Sequence, residues 1–313
     1  MRPLGKLDRA QRPPNGLCAR QIILFLVLVV LFSAVPYTLI LLQHNLGAGG
    51  GLMVRLLMWC PAFAAFATCA VCRIDLASLG WNWRPAKYEA LGYVIPLLYA
   101  IPVYVVCWIA IPGSLNLIGA TAAAAKSFGL TNSPGFAFFG VQVPLLASVG
   151  VIASLASTLG EEIGWRGFLL PRLTTQFGFT LGCFVSGCIW AVWHYGALLW
   201  ANYNAGTTPG YALTCFTIMV IAVAFILGWL RLRSGSLWPC ALLHASHNLF
   251  IQAILDRLTN PVGRAPYWTT EFGAGLALTT AATALFFWLR RHKVNAAPLI
   301  KPEAISYAQP ARY

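Results

Sequence analysis

Glu161 and Glu162 stand side by side in an apolar stretch from Gly135 to Pro171 whose only other charge is Arg166. At bilayer depth an ionisable group costs at least about 2.5–3.5 kcal/mol, so two carboxylates and a guanidinium there need partners or a task. On a helix, adjacent residues diverge by about 100° and residues four apart by about 40°, which sets Glu162 beside Arg166 and turns Glu161 elsewhere. Glu162 is then the fixed ion-pair partner, and Glu161 is the acid left to act, most simply on water. Ser154, Ser157, Thr158 and Gly164 are expected around Glu161, small residues that let a neighbouring helix or a substrate backbone come close. A buried ion-pair network that merely joins helices is the competing explanation.

Two further polar sites lie in later apolar runs. His194 closes the segment Trp190-Ala-Val-Trp-His194. If its run and the preceding one form an antiparallel hairpin, the midpoint of 161 and 194 falls between Phe177 and Gly178, where the turn signal Gln176-Phe177-Gly178 sits. Glu161 and His194 are therefore expected at one level, each about 25 Å from the turn. His244, His247 and Asn248 follow Trp238-Pro239 and share one helix face, with His247 about 60° to one side of His244 and Asn248 about 40° to the other. Ser246 points about 160° away from Asn248 and is expected to pack. Any one cluster alone could be interhelical hydrogen bonding worth about 0.6–2 kcal/mol per bond. Together they offer a base for water and donors for an oxyanion, worth about 10²–10⁴ and about 10²–10³ per donor in rate.

Glu161-Glu162-Ile-Gly-Trp-Arg166, Trp190-Ala-Val-Trp-His194 and His244-Ala-Ser-His-Asn248 resemble, in order, the EExxxR, FxxxH and HxxxN motifs of the CPBP intramembrane proteases. That family contains type II CAAX prenyl endopeptidases and bacteriocin-processing or immunity proteins. The resemblance covers roughly residues 150–256; Trp190 replaces a phenylalanine but keeps an aromatic wall, and His247 is additional to the motif. It implies that Glu161 is the general base and that His194 helps to hold and polarise the attacking water. His244 and Asn248 would stabilise the oxyanion, with Glu162 and Arg166 keeping the others in place. The implied substrate is a membrane-associated peptide or protein, including prenylated CAAX-type chains, in a bacterial plasma membrane.

The cofactor stays open between two alternatives. Glu161, His194 and His244 form a two-histidine, one-carboxylate set able to hold zinc with a position left for water, as expected of a metalloprotease. The chain has no HExxH, however, and a metal that takes Glu161 leaves no uncommitted acid as base, which favours direct activation of water. A non-catalytic immunity or scaffold protein and a proton-coupled carrier are the competing functions for the same polar cluster. No half-helices or inverted repeats of a carrier are evident.

The elements that must position these residues are membrane helices. With 59% hydrophobic and 9% charged residues and a mean hydropathy of +0.71, the 313-residue chain reads as an all-α, polytopic membrane bundle embedded in the lipid bilayer. Eight crossings are expected, at about 21–42, 52–72, 90–112, 137–160, 179–200, 211–230, 236–255 and 272–289. Pro144 and Gly150 are candidate breaks in the long fourth run. An even count puts both termini on one side, which then holds 17 of the 21 Lys and Arg residues. The positive-inside bias makes that side cytoplasmic, and the active-site cleft is expected to open there too.

The cations cluster between apolar runs, so the net charge of +13 is a topology signal and no nucleic-acid partner is implied. Nine cysteines, mostly in or beside crossings, read as apolar fillers, not as disulfides or a thiolate metal site. The layout is a basic segment 1–20, an integral membrane domain 21–292 with its core at about 150–256, and a cytoplasmic tail 293–313. The first apolar run is expected to remain as an anchor. Ala122–Ala125 beside Lys126 suggest an interfacial helix, and Trp81 and Trp83 interfacial anchors.

Overall fold

The computed structural model describes residues 15–47, 49–83 and 86–294. Most of the basic segment 1–20 and of the tail 293–313 lies outside the described residues. Among the described residues all regular structure of any length is helical. We number the principal helices α1 (Asn15–Leu42), α2 (Leu52–Cys72), α3 (Ala86–Ala110), α4 (Leu117–Phe128), α5 (136–177), α6 (179–200), α7 (Pro209–Ser234), α8 (238–255) and α9 (Ala274–Leu289). A helix thus stands at each of the eight expected crossings. Five helical runs among the described residues are long and apolar enough to span a bilayer, the fourth being the continuous run from Phe136 to Trp200. α4 is the short helix anticipated next to Lys126; it buries Ala120, Thr121, Ala124 and Ala125 on one side.

α7 is the central column. Within its apolar window 67% of residues are buried, against 17–44% for the other long runs. α6 and α9 flank it, α3 lies along α8, and α2 is sandwiched between α1 and α5. The site-bearing helices α5, α6 and α8 are therefore held by neighbours on several sides, which fixes their rotation.

The expected breaks in α5 do not occur. The run from 136 to 177 would measure about 60 Å at helical rise. Its backbone stays helical through Pro144 and Gly150, and the strain is taken up by π-helical turns at Phe136–Gln142 and Leu146–Gly150. The widened turns on either side accommodate the proline, which lacks the amide of a regular turn. The true break is Gly178, at φ 77 and ψ 174, a backbone state that side-chain-bearing residues rarely adopt. It reverses the chain at the place where the hairpin signal lies.

Close approach of α2 to α5 depends on Gly160 and Gly164. A Cβ on Gly164 would sit 2.4 Å from Pro61 Cβ and 2.7 Å from Pro61 O, and one on Gly160 would sit 2.6 Å from Met58 O. The obstacles are backbone and a ring, so the helices must separate to admit a methyl group. Gly164→Ala is expected to destabilise the protein by about 1–3 kcal/mol, read as a lower Tm in detergent. An unchanged Tm would show that α2 yields freely.

Candidate functional site

Both acidic motif residues lie at the end of an α-helical segment, Val151–Glu162, just before a π-helical one, Ile163–Leu169. The same transition follows Asn248, where Trp238–Asn248 passes into Leu249–Leu255. π-turns interrupt the regular backbone bonding and recur at functional positions because they re-aim side chains.

Glu161 and Glu162 are both buried, at 2% and 0% exposure, yet their surroundings differ. Oε1 of Glu162 accepts from Arg166 Nη1 at 3.0 Å and from His244 Nδ1 at 2.9 Å. Glu162 thus ties α5 to α8 as well as to its own helix. The Arg166 guanidinium lies 3.9 Å from the Trp190 ring centroid, so it is sandwiched between a carboxylate and an aromatic face. Glu161 was expected to lack a partner, and the structure corrects this. Its Oε2 accepts from the indole Nε1 of Trp190 at 2.7 Å and of Trp165 at 3.4 Å. Trp190 is therefore a donor that orients the acid and not only a wall, a role the phenylalanine of the motif lacks. Both indoles take the same oxygen, which leaves Oε1 available to the cavity.

The Trp190–Glu161 bond joins α6 to α5 at the level inferred from the hairpin. His194, one turn further along α6, donates Nδ1–H to the Trp190 carbonyl at 2.9 Å and packs between Trp193 and Phe216. Its Nε2 is then the nitrogen that remains for a ligand or water. His244 is held likewise, with Nδ1 on Glu162 and its ring edge-to-face on Trp190 at 5.3 Å. Asn248, one turn along α8, makes no side-chain hydrogen bond among the described residues. Ser246 points away as expected, bonding Leu243 O and Gly92 O.

Glu161, His194, His244, His247, Asn248 and Trp190 all line one cavity of about 180 Å³. Glu162 and Arg166 stand behind it. His247 faces the cavity too but belongs to a second network. Tyr99 Oη bonds its Nδ1 at 2.5 Å, and its Nε2 bonds Glu271 Oε1 at 2.9 Å. Gln252 and Tyr203 donate to the same carboxylate.

The sequence offered no signal for Glu271 as a partner, since it sits in a loop 24 positions away whose placement only folding decides. Burial alone would raise the Glu271 carboxyl. Hydrogen bonds from His247, Tyr203 and Gln252 outweigh it and hold the group down to about 2. Asp256, in the loop after α8, goes the other way. Burial and the Glu271 charge push it up to about 7 against the hydrogen bond from Tyr104.

A carboxyl raised in the folded state gives stability below its unfolded value near 4, and this is lost as pH climbs through about 7. The lowered Glu271 acts only below about pH 4.5, so Asp256 dominates near neutrality. Tm in detergent is expected to fall as pH rises from about 5 to about 7 and to level off above that, and Asp256→Asn to flatten the fall. A fall of equal size in the variant would count against Asp256.

As zinc ligands the three candidates have suitable donors: both imidazoles have Nδ1 tied to an oxygen and Nε2 left over, as metal-bound histidines do. Among the described residues, however, no group of three or more His, Cys, Asp or Glu side chains is arranged to hold an ion. The donor chemistry fits zinc and the arrangement does not, so no step below is routed through a metal. All nine cysteines are free thiols.

Leu46, Tyr203 and Glu271 contribute to the cavity lining from connecting loops.

Comparison with known proteins bears on the same helices. Residues 143–250 match the family described as Rce1-like, type II CAAX prenyl endopeptidase Rce1-like. A curated protein of Methanococcus maripaludis, named CAAX prenyl protease 2, is 27% identical over 107 residues, 33% of this chain and 37% of that protein. The chain thus aligns with well under half of that relative. The matched segment contains all three motifs.

Proposed function

We propose, from the match of residues 143–250 to the Rce1-like family, that the protein is an intramembrane endopeptidase that hydrolyses a peptide bond in a membrane-associated peptide or protein. The observation that carries the proposal is the convergence of Glu161, His194, His244 and Asn248, from three helices, on one cavity.

Glu161, Glu162 and Arg166 leave one negative charge uncompensated in a buried cluster, and one further proton neutralises it. With that proton on His244, Glu161 is ionised and free to act as base. His244 already gives Nδ1–H to Glu162, so its Nε2 can donate to an oxyanion only in this imidazolium form. Base and donor are thus armed by the same proton. Water held by His194 Nε2 loses a proton to Glu161 as its oxygen bonds the carbonyl carbon. The oxyanion takes hydrogen bonds from His244 and Asn248, and as the C–N bond breaks the proton on Glu161 passes to the leaving nitrogen. Trp190 and Trp165 hold Oε2 so that Oε1 meets the water. Prenylated CAAX-type chains are among the substrates the family premise suggests.

The test compares peptides released from membranes containing wild-type protein with those containing Glu161→Gln, by mass spectrometry. Fragments found only with the wild type are expected; identical profiles would end the proposal. Zinc content is a separate check. The purified protein is expected to carry far less than one zinc per chain, with no change in Glu161→Gln. Stoichiometric zinc lost in that variant would replace direct water activation with a metal mechanism.

A further inference from the structure

The π-helical segment Ile163–Leu169 leaves the carbonyl of Arg166 without a donor from its own helix. Leu170 N–H, which would serve Arg166 O in a regular α-helix, is given to Trp165 O instead. A π-turn would serve Arg166 O from the amide five positions on, and that position is Pro171, which has no N–H. A buried carbonyl in that state needs a donor from elsewhere.

The donor comes from α7. Arg231 Nε donates to Arg166 O at 3.0 Å, and its Nη2 donates to Leu79 O at 3.2 Å. Arg231 is 1% exposed, and among the described residues no carboxylate lies within ion-pair distance of it. Its guanidinium therefore serves two backbone carbonyls and no acid. The chain makes room for it. Gly80, at φ 94, follows the 3₁₀ turn Leu76–Leu79, and a Cβ there would lie 2.7 Å from Nη2. Gly80 O accepts from Leu237 N at 2.8 Å, just before α8 begins.

What Arg231 holds is the footing of the site. Arg166 gives Nη1 to Glu162 and lies over the Trp190 ring. Glu162 in turn orients His244, and Trp190 orients Glu161. A rotation of the Arg166 backbone thus reaches both acids and the histidine.

We infer that Arg231 is a positioning residue: it replaces the amide that Pro171 lacks and so fixes the π-turn from which Glu162 and His244 are aimed. The effect on turnover rests on the endopeptidase proposal; the effect on His244 does not.

The experiment compares Arg231→Met, Pro171→Ala and the double variant with wild type. Methionine keeps much of the length and removes every donor, and Pro171→Ala returns an N–H to the position five residues after Arg166. Two quantities are read in detergent: the nitrogen NMR shifts of the His244 ring, assigned with His244→Gln, and the single-turnover rate for a wild-type-dependent fragment. Arg231→Met is expected to move the His244 shifts and to lower the rate by about 10², the effect of a displacement near 1 Å. The double variant is expected to recover both, which a packing or purely electrostatic role of Arg231 would not allow. Wild-type shifts in Arg231→Met, or a double variant as impaired as Arg231→Met, overturn the inference. If Arg231→Met does not fold, the double variant decides: recovery of fold and shifts supports the inference, and a second failure overturns it. If the shifts behave as expected and no fragment depends on Glu161, the endopeptidase proposal fails and the role of Arg231 stands.

Discussion

Glu161→Ala abolishes peptide release while the protein still inserts, purifies as a single species and keeps its unfolding free energy within about 1 kcal/mol of wild type. The expected loss is at least the about 10²–10⁴ that a positioned base contributes. Stability is spared because Glu161 is bound only by two indole donors, Trp190 and Trp165, and its other oxygen meets the cavity, where water can replace what is lost. Single-turnover cleavage of a wild-type-dependent fragment, alongside size-exclusion profiles of both proteins, reads the two effects separately. Full turnover by the variant would remove Glu161 from the chemistry, and misfolding would make it a structural acid.

Glu162→Ala behaves differently, damaging fold and activity together. Its Oε1 is the shared acceptor of Arg166 and His244, and Arg166 has no exposed surface. Removing the carboxylate strands a buried guanidinium, a change that typically costs about 3–5 kcal/mol. It also frees the His244 ring that Glu162 orients between α5 and α8. Low yield and a fall in Tm are expected, with Glu162→Gln intermediate because it keeps an acceptor oxygen without the charge. A Glu162→Ala protein with wild-type Tm would contradict this division of labour between adjacent acids.

That division was legible from helix geometry alone, since Glu162 and Arg166 are four residues apart and Glu161 is not. The pairing of Glu161 with the Trp190–His194 turn was also legible, because one glycine sets the register of a hairpin and Gly178 stands at the midpoint. Other features were hidden. The His244–Glu162 bond spans 82 positions and two helices whose mutual rotation depends on α2, α3 and α7 around them. Periodicity says which face a residue occupies and nothing about which helix that face meets. Pro144 misled for a related reason: a proline signals a defect in the regular turn, and π-turns absorbed the defect without a break.

By itself the sequence determined an all-helical membrane chain, the two unlike acids, and the face shared by His244, His247 and Asn248, because hydropathy and helical period act locally along the chain. Only the tertiary structure decided that Trp190 holds Glu161, that Glu271 holds His247, and that residues of three helices line one cavity. Those outcomes depend on how separate helices and loops pack, which side-chain spacing along one element does not encode.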